Sequence, residues 1–236
     1  MSCTLVLLPG MDGTGEQFFP LTRVLAGEIP TKIVRYPDVP LDYREHEAFV
    51  REQLPRDGAF VVLGESFSGP IAVSLAADPP PGMKGYVLCV SFVTCPSVAL
   101  RLFRPLVALT APNRVPAFIA QYTLMDGRGS KELEQAYRKA LREVSNSTLR
   151  ARLKAISCVD VRERLKTVGM PGLYMRGTRD RVVRASAARI FMQAAQNGQI
   201  VHIEGPHHLV QINPTDSAQA LRTFIAKVME APSRQA

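Results

Sequence analysis

The sequence predicts an α/β fold with a mostly parallel sheet, and three observations lead to this prediction. Short apolar runs recur between Gly and Pro residues, as expected for strands buried on both faces of a parallel sheet. Helix-length amphipathic segments separate these runs. The chain has 236 residues, 46% hydrophobic and 21% charged, which is long enough for a substantial core. The predicted strands are residues 4–8, 31–36, 59–63, 86–90, 173–175 and 200–203.

The helices alternate with these strands except in one long segment. Lys32 and Arg35 interrupt the strand at 31–36, which is typical of a sheet edge protected by charge. Residues 95–158 show no strand pattern, so we expect a core of residues 1–94 and 159–236 with an all-α insertion between them. The predicted helices are residues 16–26, 43–54, 66–77, 184–195 and 217–229 in the core, and 98–109 and 131–153 in the insertion.

Gross features disfavour several classes of protein. No apolar run approaches the roughly 18 residues of a transmembrane helix, and the N-terminus lacks the basic segment of a signal peptide. The four cysteines show no zinc-site spacing, so we expect reduced thiols, no metal and a cytoplasmic location.

Residues 59–69 combine a buried strand, a tight turn and the start of a helix. The turn reads Gly-Glu-Ser-Phe-Ser-Gly, with Ser66 as its first serine. In a nucleophile elbow the serine lies on such a turn and needs small residues two positions before and after it. Gly64 meets the first requirement, whereas Ser68 stands where glycine is usual. Ser66 is therefore a candidate nucleophile, and the alternative is a serine that caps the following helix.

A glycine-rich loop, residues 9–15, follows the first predicted strand and reads Pro-Gly-Met-Asp-Gly-Thr-Gly. Backbone N–H groups of such a loop can bind the oxyanion of an acyl-transfer reaction or the pyrophosphate of a dinucleotide. Its glycine spacing differs from G-x-G-x-x-G. A nucleotide-binding oxidoreductase therefore remains a weaker alternative.

A serine nucleophile needs a base and an acid, and the loops after the last two predicted strands supply candidates. Asp180 follows one strand, while His207 and His208 follow the other. Open α/β sheets place their ligands at these carboxyl ends. Asp180 could equally serve as a turn aspartate. We expect His202, within a strand, to be packed and His46, in a charged helix, to be solvated.

Together these motifs resemble the α/β-hydrolase superfamily, in particular serine esterases and lipases with a short helical cap, over nearly the whole chain. Ser, Asp and His occur in the family's order. Residues 9–11 are similar to its oxyanion loop, with proline in place of histidine, and residues 171–180 to its acid strand and loop. Its catalytic histidine typically precedes a proline by seven positions, and Pro214 thereby selects His207 over His208.

The resemblance implies both a fold and a site. It implies about six strands, without the family's first two, and a helical cap at residues 95–158 over the active site. It also implies oxyanion donors at the backbone N–H groups of Met11 and Phe67. Apolar cap residues would line an acyl pocket, although some of them would simply hold the cap together. The proposed substrate contacts are Leu102, Phe103, Phe118 and Tyr122.

We therefore predict a serine hydrolase that cleaves a small carboxylic ester through an acyl-enzyme, without a cofactor. Ser66 would attack, His207 would take its proton and Asp180 would orient the imidazole. One alternative is a thioesterase or an esterase that acts on acyl groups linked to a carrier protein. A hydrolase-fold binding protein without catalysis is another.

The insertion carries most of the net charge. Between Arg101 and Lys154 there are eleven basic and four acidic residues, a net charge of +7 within a chain of +8. One interpretation is a solvated helix surface. The other is a basic rim that binds an anionic substrate or an acidic protein such as acyl carrier protein, through residues such as Arg138 and Arg142. We expect neither nucleic acid nor membrane as a partner.

Overall fold

The computed structural model of the chain describes residues 3–103, 105, 107 and 117–230, apart from the side chains at 117, 118 and 120. Within this part of the chain six strands form one sheet in the order β2-β1-β3-β4-β5-β6, and all neighbouring strands are parallel. The predicted α/β fold class is thereby confirmed. The strands are β1 (Cys3–Leu8), β2 (Thr31–Ile33), β3 (Ala59–Glu65), β4 (Met83–Cys89), β5 (Gly172–Gly177) and β6 (Gly198–Ile203).

Helices cover both faces of the sheet. One face packs against α2, α3, α8 and α9, and the other against α1, α10 and α11. The helices of the described residues are α1 (Phe19–Leu25), α2 (Tyr43–Gln53), α3 (Gly69–Ala77), α4 (Val98–Leu102), α5 (Ala117–Met125), α6 (Lys131–Glu143), α7 (Asn146–Cys158), α8 (Arg162–Thr167), α9 (Ala185–Ala194), α10 (Leu209–Ile212) and α11 (Pro214–Glu230). No helix of the described residues combines the length and apolar character needed to cross a bilayer.

The strands are apolar throughout because both of their faces are buried. In β3, Phe60 and Val62 join the core on one side of the sheet, whereas Val61 and Leu63 join the core on the other. The strand order reverses at β1, which lies between β2 and β3. The loops that follow β1 and β3 therefore emerge side by side at the carboxyl edge, which is where open α/β sheets bind ligands.

The helices α4 to α7 lie between β4 and β5, within the segment 95–158 that the sequence analysis describes as an insertion. Its two ends meet at a short antiparallel bridge between Thr94 and Asp160. The N–H of Cys95 donates to the Val159 carbonyl over 3.1 Å, and the N–H of Val161 donates to the Val93 carbonyl over 2.8 Å. The chain thus leaves the core and returns to it at one place.

Several predicted boundaries differ from the structure. The helical pattern at 131–153 is two helices, α6 and α7, separated at Ser145, whose hydroxyl accepts the Thr148 N–H at the start of α7. The predicted strand at 31–36 ends at Ile33. Two core helices begin with 3₁₀ turns, at Glu16–Phe18 and Ser66–Ser68. The predicted helix at 98–109 is observed as α4, and part of its remainder lies outside the described residues.

Two histidines lie in environments opposite to those expected. His46 is fully buried, with its ring edge-on to Tyr36 and Phe67 at centroid distances of 4.9 and 5.1 Å. The expectation of a solvated His46 was wrong because α2 buries one narrow stripe of an otherwise polar sequence. His202 is exposed instead of packed, because β6 is an edge strand.

The burial of His46 predicts acid sensitivity. Burial lowers the pKa of His46 from 6.5 to about 4, so the folded protein favours the neutral ring. Its contribution to stability is present above pH 6.5 and is lost as the pH falls towards 4. In urea titrations, we expect the free energy of unfolding of the native protein to fall by about 3 kcal/mol more than that of His46→Phe over this range. Parallel pH curves for the two proteins would contradict this explanation.

Candidate active site

The turn after β3 holds Ser66 in a left-handed backbone conformation, with φ at +48°. Non-glycine residues adopt this conformation rarely, and a strained strand-to-helix turn of this kind is typical of a nucleophile elbow. Gly64 permits the turn, because a Cβ at that position would lie 2.4 Å from the Ser68 carbonyl oxygen. The Ser91 hydroxyl donates to the Ser66 carbonyl over 2.5 Å and supports the turn from the end of β4.

Ser68, the departure from the usual glycine, has a structural role. Its buried hydroxyl donates to the Pro9 carbonyl and accepts from the Tyr36 hydroxyl over 2.6 Å. Glycine is instead required one position later, at Gly69, because a Cβ there would overlap the Ser91 hydroxyl. Ser68 thus ties the turn after β3 to the loop after β1.

Ser66, His207 and Asp180 form a continuous hydrogen-bonded chain. The Ser66 hydroxyl donates to His207 Nε2 over 2.9 Å. His207 Nδ1 lies 3.1 and 3.0 Å from the two Asp180 carboxylate oxygens. Because a carboxylate only accepts, the proton of the neutral imidazole is on Nδ1, which leaves Nε2 free to accept. The imidazole and carboxylate are almost completely buried, whereas Ser66 is half-buried and lines a cavity.

Backbone contacts bring the acid loop and the histidine loop together. Gly177 lies against residues 205–206, where a Cβ would be 2.7 Å from the Pro206 carbonyl oxygen. Asp180 Oδ1 also accepts the N–H groups of Val182 and Val183 over 2.8 and 2.9 Å. The carboxylate therefore stabilises its own turn and orients the imidazole, so both interpretations of Asp180 describe its contacts.

The glycine-rich loop after β1 is held by a buried arginine from the insertion. Arg152 of α7 is fully buried and donates to the Met11 and Asp12 carbonyls, both over 2.9 Å, and to the Pro37 carbonyl over 3.2 Å. Gly13 has φ at +75°, and a Cβ there would lie 2.5 Å from the guanidinium. In the sequence Arg152 is one of the eleven basic residues of the insertion, and nothing there distinguishes it from the exposed ones.

Met11 and Phe67, the two expected oxyanion donors, lie in different surroundings. Met11 lines the cavity, and its N–H has no acceptor among the described residues. Phe67 follows Ser66 directly, and its buried ring stacks on Tyr43 at 4.8 Å. The Tyr43 hydroxyl donates to the Phe67 carbonyl over 3.0 Å. Both backbone positions are thus fixed by neighbouring side chains.

The cavity beside Ser66 has a volume of about 280 Å³. Its apolar part comes from residues of the insertion and of the loops after β4 and β5, among them Phe92, Leu100, Leu141, Leu153 and Val182. Its polar part includes Glu65, whose pKa burial raises to about 7 and which accepts the Gln211 amide N–H over 2.7 Å. Glu65 belongs to the Gly-Glu-Ser turn, but no pattern in the sequence assigns a role to Glu65 or Gln211, because each role depends on the place of the residue in the fold.

Three of the predicted substrate contacts do not line this cavity. Leu102 and Phe103, at the end of α4, have exposed fractions of 71% and 56%. Tyr122 is 59% exposed because its ring lies under the Arg181 guanidinium, 4.1 Å from the ring centroid, on the outer surface. The side chain of Phe118 lies outside the described residues. Apolar character alone identified cap residues without telling which side of each helix faces the site.

Arg138 and Arg142 are exposed on α6, one helical turn apart. Neither forms an ion pair with a described acidic residue, whereas the neighbouring Lys139 pairs with Glu16 and Glu143. Among the described residues, no three His, Cys, Asp or Glu side chains converge as a metal site requires.

The chain belongs to the alpha/beta hydrolase family, whose model matches residues 5–220. The resemblance noted in the sequence is thereby confirmed. No curated protein sequence matches the chain.

Solved structures of low sequence identity share the fold. The enol-lactonase from Burkholderia xenovorans LB400 is 17% identical, with a TM-score of 0.77 over 98% of this chain and 92% of that one. A thermophilic esterase from Thermogutta terrifontis is 18% identical, with a TM-score of 0.78 and coverages of 97% and 91%. The bromoperoxidase from Bacillus anthracis is 16% identical, with a TM-score of 0.80 and coverages of 96% and 92%. At these identities the likeness extends to the fold alone.

The contacts of Arg152 predict that the insertion stabilises the core. Arg152→Met leaves three backbone carbonyls without their donor, which we expect to lower the free energy of unfolding by about 1–3 kcal/mol. Lys154→Met, at an exposed position of the same helix, should change it by less than about 0.5 kcal/mol. Urea denaturation of both variants measures the difference, and equal stabilities would contradict this role of Arg152.

Proposed function

We propose that the protein is a serine hydrolase that cleaves carboxylic esters through an acyl-enzyme. The observation that carries the proposal is the alignment of Ser66 Oγ, His207 and Asp180, with 2.9 Å between the hydroxyl and Nε2, at a half-buried serine on a left-handed turn. An imidazole that accepts from a serine and donates to a carboxylate is the arrangement used for nucleophilic acyl transfer. Membership of the family supports the same proposal.

In the first half of the reaction, Ser66 Oγ attacks the ester carbonyl carbon while its proton passes to His207 Nε2. The negative charge that develops on the carbonyl oxygen is stabilised by the N–H groups of Met11 and Phe67. When the intermediate collapses, the bond to the alcohol oxygen breaks and His207 returns the proton to the leaving alcohol. Asp180 stabilises the imidazolium that exists between these two proton transfers.

In the second half, a water molecule takes the place of the alcohol. His207 Nε2 accepts a proton from this water as its oxygen attacks the acyl carbon bound to Ser66. Collapse of the second intermediate releases the carboxylic acid and returns the proton to Ser66 Oγ. The reaction requires only groups of the protein, the ester and water.

The size and lining of the cavity favour a small ester. The volume of about 280 Å³ lies just below the roughly 300–1,000 Å³ of pockets that hold drug-sized ligands. The apolar part of the wall favours a short hydrocarbon portion. An amphipathic ester with an acyl group of a few carbons fits both features.

Removal of the nucleophile should abolish turnover. We expect Ser66→Ala to lower kcat/KM for p-nitrophenyl butyrate by more than about 10³-fold, because the covalent step is lost. Release of p-nitrophenolate measures the rate, and circular dichroism checks the fold. Ser147→Ala, at an exposed serine of the insertion, is the matched control and should retain full activity. Near-native activity of Ser66→Ala would refute the proposed function.

An acyl group linked to an acidic carrier protein is a second candidate substrate, as ester or thioester. The observation that favours it is the pair of exposed arginines on α6, Arg138 and Arg142, without acidic partners among the described residues. These cations lie on the same helix as Tyr137 and Leu141, which line the cavity. An acidic surface bound there could present its acyl group to Ser66.

Charge reversal tests this second candidate. For Arg138→Glu with Arg142→Glu, we expect the ratio of kcat/KM for a butyryl group on acyl carrier protein to that for p-nitrophenyl butyrate to fall about tenfold. The matched control reverses two exposed arginines of the core, Arg44 and Arg56, and should leave the ratio unchanged. If both double variants give the native ratio, the carrier-protein candidate is excluded.

A further inference from the structure

Seven polar side chains of the described residues line the cavity and take no part in the proposed proton transfers. Two of them, the carboxyl groups of Asp12 and Glu65, lie close to the nucleophile. A Cβ built on Gly10 would be 3.9 Å from an oxygen of each carboxyl group and 3.9 Å from Ser66 Cβ. Ser97 accepts the Leu100 N–H at the start of α4, and we call the other six residues the polar cluster: Asp12, Gln17, Glu65, Tyr137, His208 and Gln211.

Two amide groups of the polar cluster are oriented by the carboxyl groups. Gln17 Nε2 donates to Asp12 Oδ2 over 3.3 Å, and Gln211 Nε2 donates to Glu65 Oε1 over 2.7 Å. Asp12 also accepts the N–H and the hydroxyl of Thr14. Because an ionised carboxylate only accepts, Gln17 turns its NH₂ towards Asp12 and its carbonyl oxygen away, and Gln211 has the same orientation towards the ionised form of Glu65.

The carbonyl oxygens of both amides are buried without a hydrogen-bond donor among the described residues. Gln17 and Gln211 have exposed fractions of only 5% and 6%. A third buried atom without a partner, His208 Nδ1, belongs to the same cluster, and the His208 ring lies edge-on to Tyr137 at 6.1 Å. Burial lowers the pKa of His208 to about 3, so its ring is neutral and carries no charge into the cavity.

Unpartnered polar atoms in a protein interior are unfavourable and rare. Here three of them belong to residues that line one cavity, which also contains the nucleophile. A purely hydrocarbon substrate would leave all three unpaired. A substrate that brings a hydrogen-bond donor would pair with one of these buried atoms once that side chain rotates towards the cavity, so the unpaired atoms indicate a feature of the ligand.

We propose that the polar cluster binds a hydroxyl group, so that the preferred substrate is a carboxylic ester that carries a hydroxyl a few atoms from the scissile carbonyl. This inference rests on the proposed function and specifies its substrate class. A hydroxyl donates to an amide carbonyl and accepts from a nearby donor, which matches neutral Gln and His groups. The described residues that line the cavity include no Lys or Arg, so an anionic substituent has no counterion there.

An ammonium substituent fits the polar cluster less well. Asp12 already accepts three hydrogen bonds, and the buried Arg152 guanidinium contacts the backbone carbonyl of the same residue. The oxygens of the Asp12 carboxylate are therefore already engaged, and burial of Glu65 raises its pKa to about 7 and so disfavours a charge on the other carboxyl group. Transfer of a second cation out of water into a buried site is unfavourable unless a free anion receives it.

Matched pairs of esters test the proposal. We compare kcat/KM for p-nitrophenyl 3-hydroxybutyrate with that for p-nitrophenyl butyrate, and for 3-hydroxypropyl butyrate with that for propyl butyrate. The first pair places the hydroxyl in the acyl group and the second places it in the alcohol. We expect the hydroxylated ester of at least one pair to be preferred by about tenfold, because the nonhydroxylated ester leaves buried polar groups unpaired.

Two variants then test whether the glutamine side chains cause the preference for the hydroxylated ester. Gln17→Met and Gln211→Met keep a long unbranched side chain but remove the amide carbonyl. We expect each to lower the preference ratio about fivefold. Because the measurement is a ratio of two substrates, a general loss of activity cancels. Gln219→Met, at an exposed position of α11, is the matched control and should keep the native ratio. Thermal unfolding verifies that each variant is folded.

The outcomes separate this inference from the proposed function. Hydrolysis of the plain esters without a preference for hydroxyl overturns the polar subsite alone. So does a preference that both glutamine variants retain, or a greater preference for p-nitrophenyl 3-aminobutyrate. If no ester is turned over, the proposed function fails, and calorimetry of 3-hydroxybutyramide and butyramide with the Ser66→Ala variant decides the subsite. Equal affinities for the two amides would then overturn it.

Discussion

The left-handed backbone of Ser66 is the constraint on which the rest of the site depends, because it turns the hydroxyl out of β3 towards His207. This conformation is unfavourable for serine and persists only where the surroundings fix it. Three contacts do so here. Gly64 leaves room for the next turn of backbone, Ser91 holds the Ser66 carbonyl, and Ser68 ties the turn to the Pro9 carbonyl. The strained backbone of the proposed nucleophile is thus held in place by hydrogen bonds around it.

The core and the insertion build the site jointly. The sheet supplies Ser66 and the loops that hold Asp180 and His207, whereas the insertion supplies much of the apolar wall. Arg152 connects the two, since it reaches from α7 to the carbonyls of the loop that carries the Met11 N–H. Because the buried guanidinium donates to the Met11 and Asp12 carbonyl oxygens of that loop, it holds the loop in one conformation. The orientation of a proposed oxyanion donor therefore depends on a residue of the insertion.

The sequence predicted what is encoded locally or by chain order. Buried strands are apolar runs, so the sheet could be predicted from the sequence. The loops that follow those strands could be expected to meet at its carboxyl edge. Features that arise only from packing could not be predicted from the sequence. Tyr122 was expected in the cavity but lies outside, beneath Arg181. Nothing in the sequence distinguishes Gln17 and Gln211 from other glutamines, because a glutamine is informative only when its partners and burial are known.

The central claim is that Ser66 is a nucleophile activated by His207, and covalent labelling tests it most directly. A fluorophosphonate reacts with an activated serine and forms a stable adduct, so its site can be read by mass spectrometry of peptides. We predict one adduct, on Ser66, that forms at a rate reduced by more than about 10³-fold in His207→Gln, where no base remains. An unlabelled Ser66 in the folded protein, or labelling that is equally fast without the imidazole, would contradict the account.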